Sequence, residues 1–326
     1  MQGSSPNILL LSAGRRVSLA RAFRRIAELH GAKLVCADVR PDLSAACQDN
    51  FDSVELPRVD SSLYAEALER ICRTHEIGLV VPTIDTELPV LASLRDAFAA
   101  AGTSIVVSSP DLIEIAGDKR KTAEYFGALG VRSPTVYANN APRYPAIAKP
   151  FDGSLSRDVH VLREAAEYTS QIRSIPNLMM AEYLDPAEHD EFTCDAYYDR
   201  EETLQCIVPR LRIEVRGGEV SKACTVSNNI IDLFYAKLST LSGARGCLTF
   251  QFFRHRATGR LYLIELNARF GGGFPLALAA GADYPKWLYA EWVLGEKIPE
   301  RSRWESGLTM LRYDGEILIP GNKADG

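Results

Sequence analysis

The sequence predicts an α/β domain followed by an α+β region. Three observations predict it. From residue 7 to about 108, short apolar runs alternate with amphipathic stretches of helical length, the pattern of βαβ units on a parallel sheet. From residue 177 onward strand-like runs dominate. Between the two, short helical and extended segments mix around a connection bearing Pro and Asn, Ser133 to Tyr144.

In chain order, Asn7-Ile-Leu-Leu-Leu-Ser12 reads as a buried strand, and Ala13-Gly14 leads into a helical pattern from Val17 to about His30. Lys33–Ala37 is the next strand and ends at Asp38; Leu63–His75 is helix, Gly78–Pro82 strand, Leu88–Ala101 helix and Ser104–Ser108 strand. Asp111–Ile115 and Lys119–Leu129 read as helices, with Gly130 as a stop signal. Pro145–Lys149 and Val159–Leu162 are short strands around the polar loop Phe151–Asp158, and Glu164–Arg173 is helix. Strands then follow at Leu178–Tyr183, Glu191–Tyr198, Thr203–Val208, Cys247–Arg254 and Arg260–Leu266, with Phe274–Leu294 mostly helical. The expected division is 1–110, 111–178 and 179–320, with 321–326 as a loose tail.

Composition excludes several classes. A chain of 326 residues suits two or three packed units. A net charge of −5 argues against a nucleic-acid or anionic-membrane binder. No run of 18 apolar residues suggests a membrane span, and the N-terminus lacks the basic flank and apolar core of a signal peptide. The seven cysteines are scattered with no Cys-x-x-Cys pair, and the five histidines have no metal-ligand spacing; reduced thiols in a cytosol are expected.

In open α/β sheets, ligands sit beyond the carboxyl ends of the strands. Those ends carry Ser12-Ala-Gly-Arg-Arg16, Asp38 and Thr83-Ile-Asp-Thr-Glu87. A dinucleotide fingerprint needs three glycines and only Gly14 is present, so Arg15 and Arg16 are read instead as receivers of a carboxylate or phosphate.

The chemistry concentrates in Leu261-Tyr-Leu-Ile-Glu-Leu-Asn-Ala-Arg-Phe-Gly-Gly-Gly273. Alternation along a strand puts Glu265, Asn267 and Arg269 on one face. Carboxylate and amide oxygens are hard ligands that suit Mg²⁺, and an arginine beside them suits a transferring phosphoryl group. Gln251 stands on the preceding strand; a hairpin around Ala257-Thr-Gly259 sets it opposite Glu265 and makes it a third ligand candidate.

Lys149 ends a strand before a loop holding Gly153, Ser154 and Ser156, whose backbone N–H groups suit phosphate oxygens; Lys119, at a helix start, is a second phosphate-directed lysine. Met179-Met-Ala-Glu-Tyr-Leu184 offers an apolar edge for a purine, with Glu182 as an acceptor for its amine. Glu191 is the candidate for a ribose hydroxyl, with Glu188 and Asp190 as competitors. In Val208-Pro-Arg-Leu-Arg-Ile-Glu-Val-Arg-Gly217, Arg210 and Arg212 share a face; Arg210 is the first choice for a substrate carboxylate, and Arg216 reads as solvent-facing.

Together, Gly117-Asp-Lys119, Ala148-Lys-Pro-Phe-Asp-Gly-Ser154, Ala181-Glu-Tyr-Leu184 and Glu265-Leu-Asn-Ala-Arg-Phe-Gly-Gly-Gly273 resemble the motifs of the ATP-grasp superfamily, over essentially the whole chain. Within it, the resemblance is to single-chain proteins similar to the carbamoyl-phosphate synthetase large subunit. It implies a Rossmann-like pre-ATP-grasp domain (1–110) followed by a two-subdomain ATP-grasp fold: a lid (111–178) and a C-terminal subdomain with the metal site (179–320). It also implies ATP and Mg²⁺ as cofactors, with Mn²⁺ as a substitute. Lys119 and Lys149 would contact the phosphates, backbone near Tyr183 and Leu184 the adenine, and Glu191 the ribose. Glu265 would bridge two metal ions shared with Gln251 and Asn267, and Arg269 would stabilise an acyl phosphate. Members often carry a carboxylate where this chain has Gln251, which lowers the charge of the metal site.

The expected activity is ATP-dependent joining of a small carboxylate to an amine through an acyl phosphate, catalysed with Arg269, Arg210 and Lys149, the substrates held by Arg210, Arg212 and Arg15. The alternatives are a bicarbonate-using or carbamoyl-phosphate-forming enzyme and, from another class, a non-catalytic ATP sensor. The expected partners are small-molecule substrates and a second copy of the chain.

Overall fold

The computed structural model describes residues 5–50, 52–137, 142–153, 158–298 and 303–320. The first part alternates β1 (Asn7–Leu10), α1 (Val17–Leu29), β2 (Leu34–Asp38), α2 (Ala45–Asn50), β3 (Ser53–Glu55), α3 (Tyr64–Thr74), β4 (Ile77–Val81), α4 (Leu88–Ala100) and β5 (Ser104–Ile105). The five strands form a parallel sheet in the order β3-β2-β1-β4-β5. The apolar runs of β1 and β4 have a simple cause. Helices cover both faces of the sheet, so Ile8 to Leu10 and all of β4 are buried. Leu9 faces one core with Tyr64, Leu68 and Leu91, while Ile8 and Leu10 face the other with Leu19, Phe23 and Ile26. The sequence reading missed α2 and β3, whose short segments mix polar and apolar residues without a clear period. The chain runs outward from β1 to β3 and returns to β4. The order therefore reverses between β1 and β4, and a crevice opens beyond their carboxyl ends.

Helices α5 (Pro110–Gly117) and α6 (Lys119–Ala128) come next. They were expected in the lid. Instead Leu112, Ile113 and Phe126 share a core with Phe250, Leu263 and Leu266 of the C-terminal sheet. The small unit consists of β6 (Val136–Tyr137), β7 (Ala146–Pro150), β8 (His160–Leu162), α7 (Ser170–Arg173) and β9 (Leu178–Glu182). Its antiparallel sheet has the order β6-β9-β7-β8 around a separate core of Ala146, Ala148, Leu162, Ile172 and Met180. The expected boundary after residue 178 therefore cuts β9, which pairs with β7 from Leu178 to Glu182.

The remainder is β10 (His189–Tyr198), β11 (Leu204–Arg216), β12 (Glu219–Thr225), α8 (Asn229–Lys237), β13 (Gly246–His255), β14 (Leu261–Asn267), α9 (Phe274–Ala279), α10 (Tyr284–Trp292) and β15 (Thr309–Leu311). The strands form an antiparallel sheet, β14-β13-β10-β11-β12-β15. Tyr197, Phe270, Phe274 and Tyr284 share a core with Phe23 of α1, which fastens the N-terminal sheet to this one.

Strand β14 departs from simple alternation. Gln251 pairs with Glu265 but Phe252 pairs with Leu263, so Ile264 is an extra, bulged residue. The bulge lets Leu263 and Leu266, three apart, both enter the core while Glu265 and Asn267 keep the opposite face.

Candidate active site

Side chains opposite one another across a sheet share a face, about 5 Å apart. The register here aligns Glu265 with Gln251, Gln251 with Thr193, Thr193 with Arg210, and Arg210 with Thr225, in a row crossing five strands. The next row aligns Asn267, Thr249 and Asp195. Over this face lies a cleft of about 400 Å³. Its roof is Ile147, Lys149, Pro150, Gly153 and Val159 from the small sheet, and Arg16 closes the N-terminal side. Ile264, turned outward by the bulge, joins Phe253, Ile147 and Val159 in giving part of the cleft an apolar lining.

The phosphate-directed lysines stand together. Asp118 caps α6 by accepting from the Arg120 N–H, which fixes Lys119 at the first turn. Lys119 Nζ donates to the Gly153 carbonyl at 2.6 Å and lies 4.0 Å from Glu265 Oε2. Burial, helped by the charge of Lys119, lowers the Lys149 ammonium to about 8. Two neighbouring ammonium groups with so little solvent are a site awaiting negative charge.

The ligand candidates are prearranged. Glu191 Oε1 accepts from Arg212 Nη1 at 2.7 Å and from Gln251 Nε2 at 2.5 Å. With its nitrogen so engaged, the Gln251 amide oxygen is left for another partner. Asn267 Oδ1 accepts from Arg269 Nη2 at 3.1 Å. Among the described residues there is no group of three His, Cys, Asp or Glu side chains fit to hold a metal. The set of one carboxylate, Glu265, and two neutral amides does fit Mg²⁺ that arrives on nucleotide phosphates, the usual mode for that ion. It does not fit a tightly held resident metal.

Arg269 bridges to the N-terminal domain. Its Nη2 and Nε donate to Asp85 Oδ2 at 2.6 and 3.1 Å. Asp85 begins a 3₁₀ turn, Asp85–Glu87, after β4. Arg16 donates to the carbonyls of Thr83 (2.8 Å) and Phe270 (3.2 Å). Burial, reinforced by the charge of Arg269, lowers its guanidinium to about 10.

Several expectations need correction. Arg210 is fully buried and paired with Asp195, Nε to Oδ2 at 2.6 Å and Nη2 to Oδ1 at 3.1 Å. The guanidinium is thus largely spent on Asp195, although Arg210 is one of the residues lining the cleft and its Nη1 is left without a partner. Gly273 is glycine for this reason: a Cβ there would stand 2.2 Å from that Nη1. Arg212 is committed to Glu191 rather than held ready for substrate, and Glu191 is correspondingly less free for a ribose. Arg15 is 86% exposed and pairs with Glu219, because its place in the turn before α1 points it outward; Arg16 is the arginine that reaches the cleft. Glu182 turns away to accept from the Thr135 N–H and hydroxyl, beside a separate open cavity of about 840 Å³. Tyr183 and Leu184 follow it and do not line the cleft either. Ser154 lies outside the described residues. Lys119, Lys149, Gly153, Glu191, Arg210, Arg212, Gln251, Glu265, Asn267 and Arg269 all line the one cleft. The sequence reading chose Arg15 over Arg16 for the substrate, and it gave no role to Thr193, Thr249 or Phe253. The signal for these was their register with Gln251 and Glu265, which needs the sheet order.

A cleft between a small antiparallel sheet and a larger one, with paired lysines above and a carboxylate–amide row below, defines a nucleotide-dependent enzyme fold. The family described as PylC-like, N-terminal domain, matches residues 8–106, and the family described as ATP-grasp in the biosynthetic pathway with Ter operon matches residues 174–315. The ATP-grasp match includes the part of the chain that carries Gln251, Glu265, Asn267 and Arg269. The chain is 25% identical over 258 residues to the carbamoyl phosphate synthase large chain of Vibrio cholerae, covering 72% of this chain but only 24% of that one. Among solved structures, it resembles the biotin carboxylase domain dimer of Hydrogenobacter thermophilus 2-oxoglutarate carboxylase, in complex with MgADP, ADP and bicarbonate (TM-score 0.70, 16% identity, 94% and 73% coverage). It also resembles the L-amino acid ligase of Bacillus licheniformis (TM-score 0.67, 16% identity, 90% and 75% coverage).

Proposed function

We propose that the protein is an ADP-forming carboxylate–amine ligase acting on small molecules. One observation carries the reading. The cleft sets Lys119 and Lys149 beside the Gly153 loop, Glu265, Gln251 and Asn267 at the centre, and Arg269 and Arg16 at the N-terminal side. That order follows the charge of a nucleotide whose terminal phosphoryl group faces a bound carboxylate.

The lysines bind and orient the phosphates. Glu265, Asn267 and Gln251 would hold Mg²⁺, or Mn²⁺ in its place, arriving with the nucleotide, and the ion would neutralise charge on those phosphates. Arg269 and Arg16 hold the acid, and the cleft's apolar walls exclude water from it. The carboxylate oxygen attacks the γ-phosphorus and ADP leaves, giving an acyl phosphate. The amine nitrogen then attacks the acyl carbon, phosphate leaves and the nitrogen loses a proton. Preorganised charge contributes most of the acceleration in such a site.

The neighbours support this reading: one is an amino-acid ligase, and the other binds MgADP. Incubation with ATP, Mg²⁺ and paired pools of acids and amines is expected to release ADP and phosphate only when both pools are present. Release of AMP and pyrophosphate would sink the acyl-phosphate mechanism. ADP release with bicarbonate and no organic acid would favour the carboxylating alternative, which the bicarbonate-bound neighbour keeps in view. Tight ATP binding without turnover on any pair would favour a sensor. A homodimer is part of the same reading, supported by the dimeric neighbour and testable by sedimentation. No helix among the described residues is long and apolar enough to cross a membrane, and a cytosolic site of action is proposed with the rest.

A further inference from the structure

A smaller pocket of about 120 Å³ lies away from the phosphate cleft, in the crevice where the strand order of the N-terminal sheet reverses. Its walls include Ser12 after β1, Asp38 at the end of β2, Leu56 and Val59, and Ile84 and Glu87 after β4. Glu87 is only 3% exposed. Its Oε1 accepts from the Ser12 hydroxyl at 2.9 Å and from the Tyr64 hydroxyl at 3.0 Å. Its Oε2 is buried with no partner at all.

That asymmetry is costly. A buried carboxylate oxygen without a donor forfeits about 1–3 kcal/mol, and more if the group is ionised. Burial pushes the Glu87 carboxyl up, against the pull of the two hydroxyls. No basic side chain donates to it: Arg58, on the same pocket wall, is turned to Asp60 at 3.3 Å. Asp38 adds a second carboxylate at the rim, its Oδ2 accepting from the Gly14 N–H at 2.9 Å. The rest of the lining is mainly aliphatic.

We propose that this pocket binds the ammonium group of a small aliphatic amine, with Glu87 Oε2 as its buried acceptor and Asp38 as the carboxylate at the entrance. An ammonium supplies both the missing donor and the missing counter-charge, and Leu56, Val59 and Ile84 suit its short carbon chain. The two sites are joined through one turn. Asp85, at its start, holds Arg269 in the phosphate cleft, and Glu87, at its end, holds the amine. The same chemistry serves either the amine consumed in the ligation or a separate amine that reports on its supply. The binding claim itself does not rest on the ligase reading.

The test is titration of n-propylammonium into the protein without ATP, followed by calorimetry. Saturable binding is expected, with n-propanol and propionate silent. Glu87→Gln, which keeps the shape and removes the charge, is expected to weaken binding about tenfold or more. Val59→Phe keeps the carboxylate and fills the pocket, and is expected to abolish binding. MgATP binding to both variants should stay within about twofold of the parent, which establishes that they fold. No saturable binding to the parent, or equal binding to parent and both variants, overturns the proposal. In steady-state assays, a raised KM for the amine in Glu87→Gln identifies the consumed amine; an unchanged KM with lost activation by propylammonium identifies a separate one. A failed ligase assay leaves the calorimetric result untouched.

Discussion

At the scale of single residues, the site is governed by where charge is left uncompensated. Lys149 titrates near 8 before nucleotide binds, because burial and Lys119 disfavour its charge. Phosphates favour the charged form, so binding draws a proton onto Lys149. ATP affinity should therefore be fullest below pH 8 and fall as pH rises through it, by at most about tenfold per pH unit for one proton. Calorimetry in buffers of different ionisation enthalpy checks this: proton uptake near pH 8 is expected in the parent and not in Lys149→Met. Glu265→Gln removes the carboxylate of the ligand set and is expected to lower kcat by about 10²–10³ while melting stays near that of the parent. Near-normal turnover would remove Glu265 from the centre of the mechanism. Glu265, Asn267, Arg269 and the two lysines were legible in the sequence, since alternation and motif spacing suffice to find them. The choice of Arg16 over Arg15 was not, because adjacent residues in a turn are separated only by backbone direction.

At the scale of elements, register and the β14 bulge do what composition could not announce. The pairing of Gln251 with Glu265 follows from a hairpin and could be read in advance. The place of Arg210 in the same row depends on β11 lying beside β10, a fact of sheet order. Arg210 looked like a substrate ligand because it shares a strand face with Arg212, while its guanidinium is spent on Asp195. Arg210→Met should leave Asp195 as an unpaired buried charge and cost about 3–5 kcal/mol. The double variant Arg210→Met with Asp195→Leu should recover most of that loss in chemical denaturation. If the recovered protein turns over normally, Arg210 serves the fold alone; if it is stable and inactive, the free Nη1 serves the substrate as well.

At the scale of the whole molecule, Asp85–Arg269 is one of several ion pairs that span the two larger parts, and it is the one formed by an arginine of the candidate site. Asp85 is 45% exposed, so its pair with Arg269 adds little stability, of the order of 1 kcal/mol or less. Its value lies in aim. Asp85→Asn is expected to leave thermal melting nearly unchanged and to lower kcat/KM by about tenfold through misplacement of Arg269. The general architecture was legible because alternating apolar runs specify a parallel sheet, and long strand runs an antiparallel one. The unit boundaries were less so, since α5 and α6 precede the small sheet in sequence but pack on the large one.

The small sheet has a core of its own, five buried side chains gathered against four short strands. Such a unit can come apart while the rest stays folded, because few contacts are lost beyond its own. Backbone amides of β7 and β9 should then exchange with deuterium through a local opening, well before those of β1 and β4. Saturating nucleotide, clasped by Lys149 from above, should slow the first set and leave the second alone. The roof of the cleft thus has a thermodynamic life of its own, and the occupant of the cleft sets how often it opens.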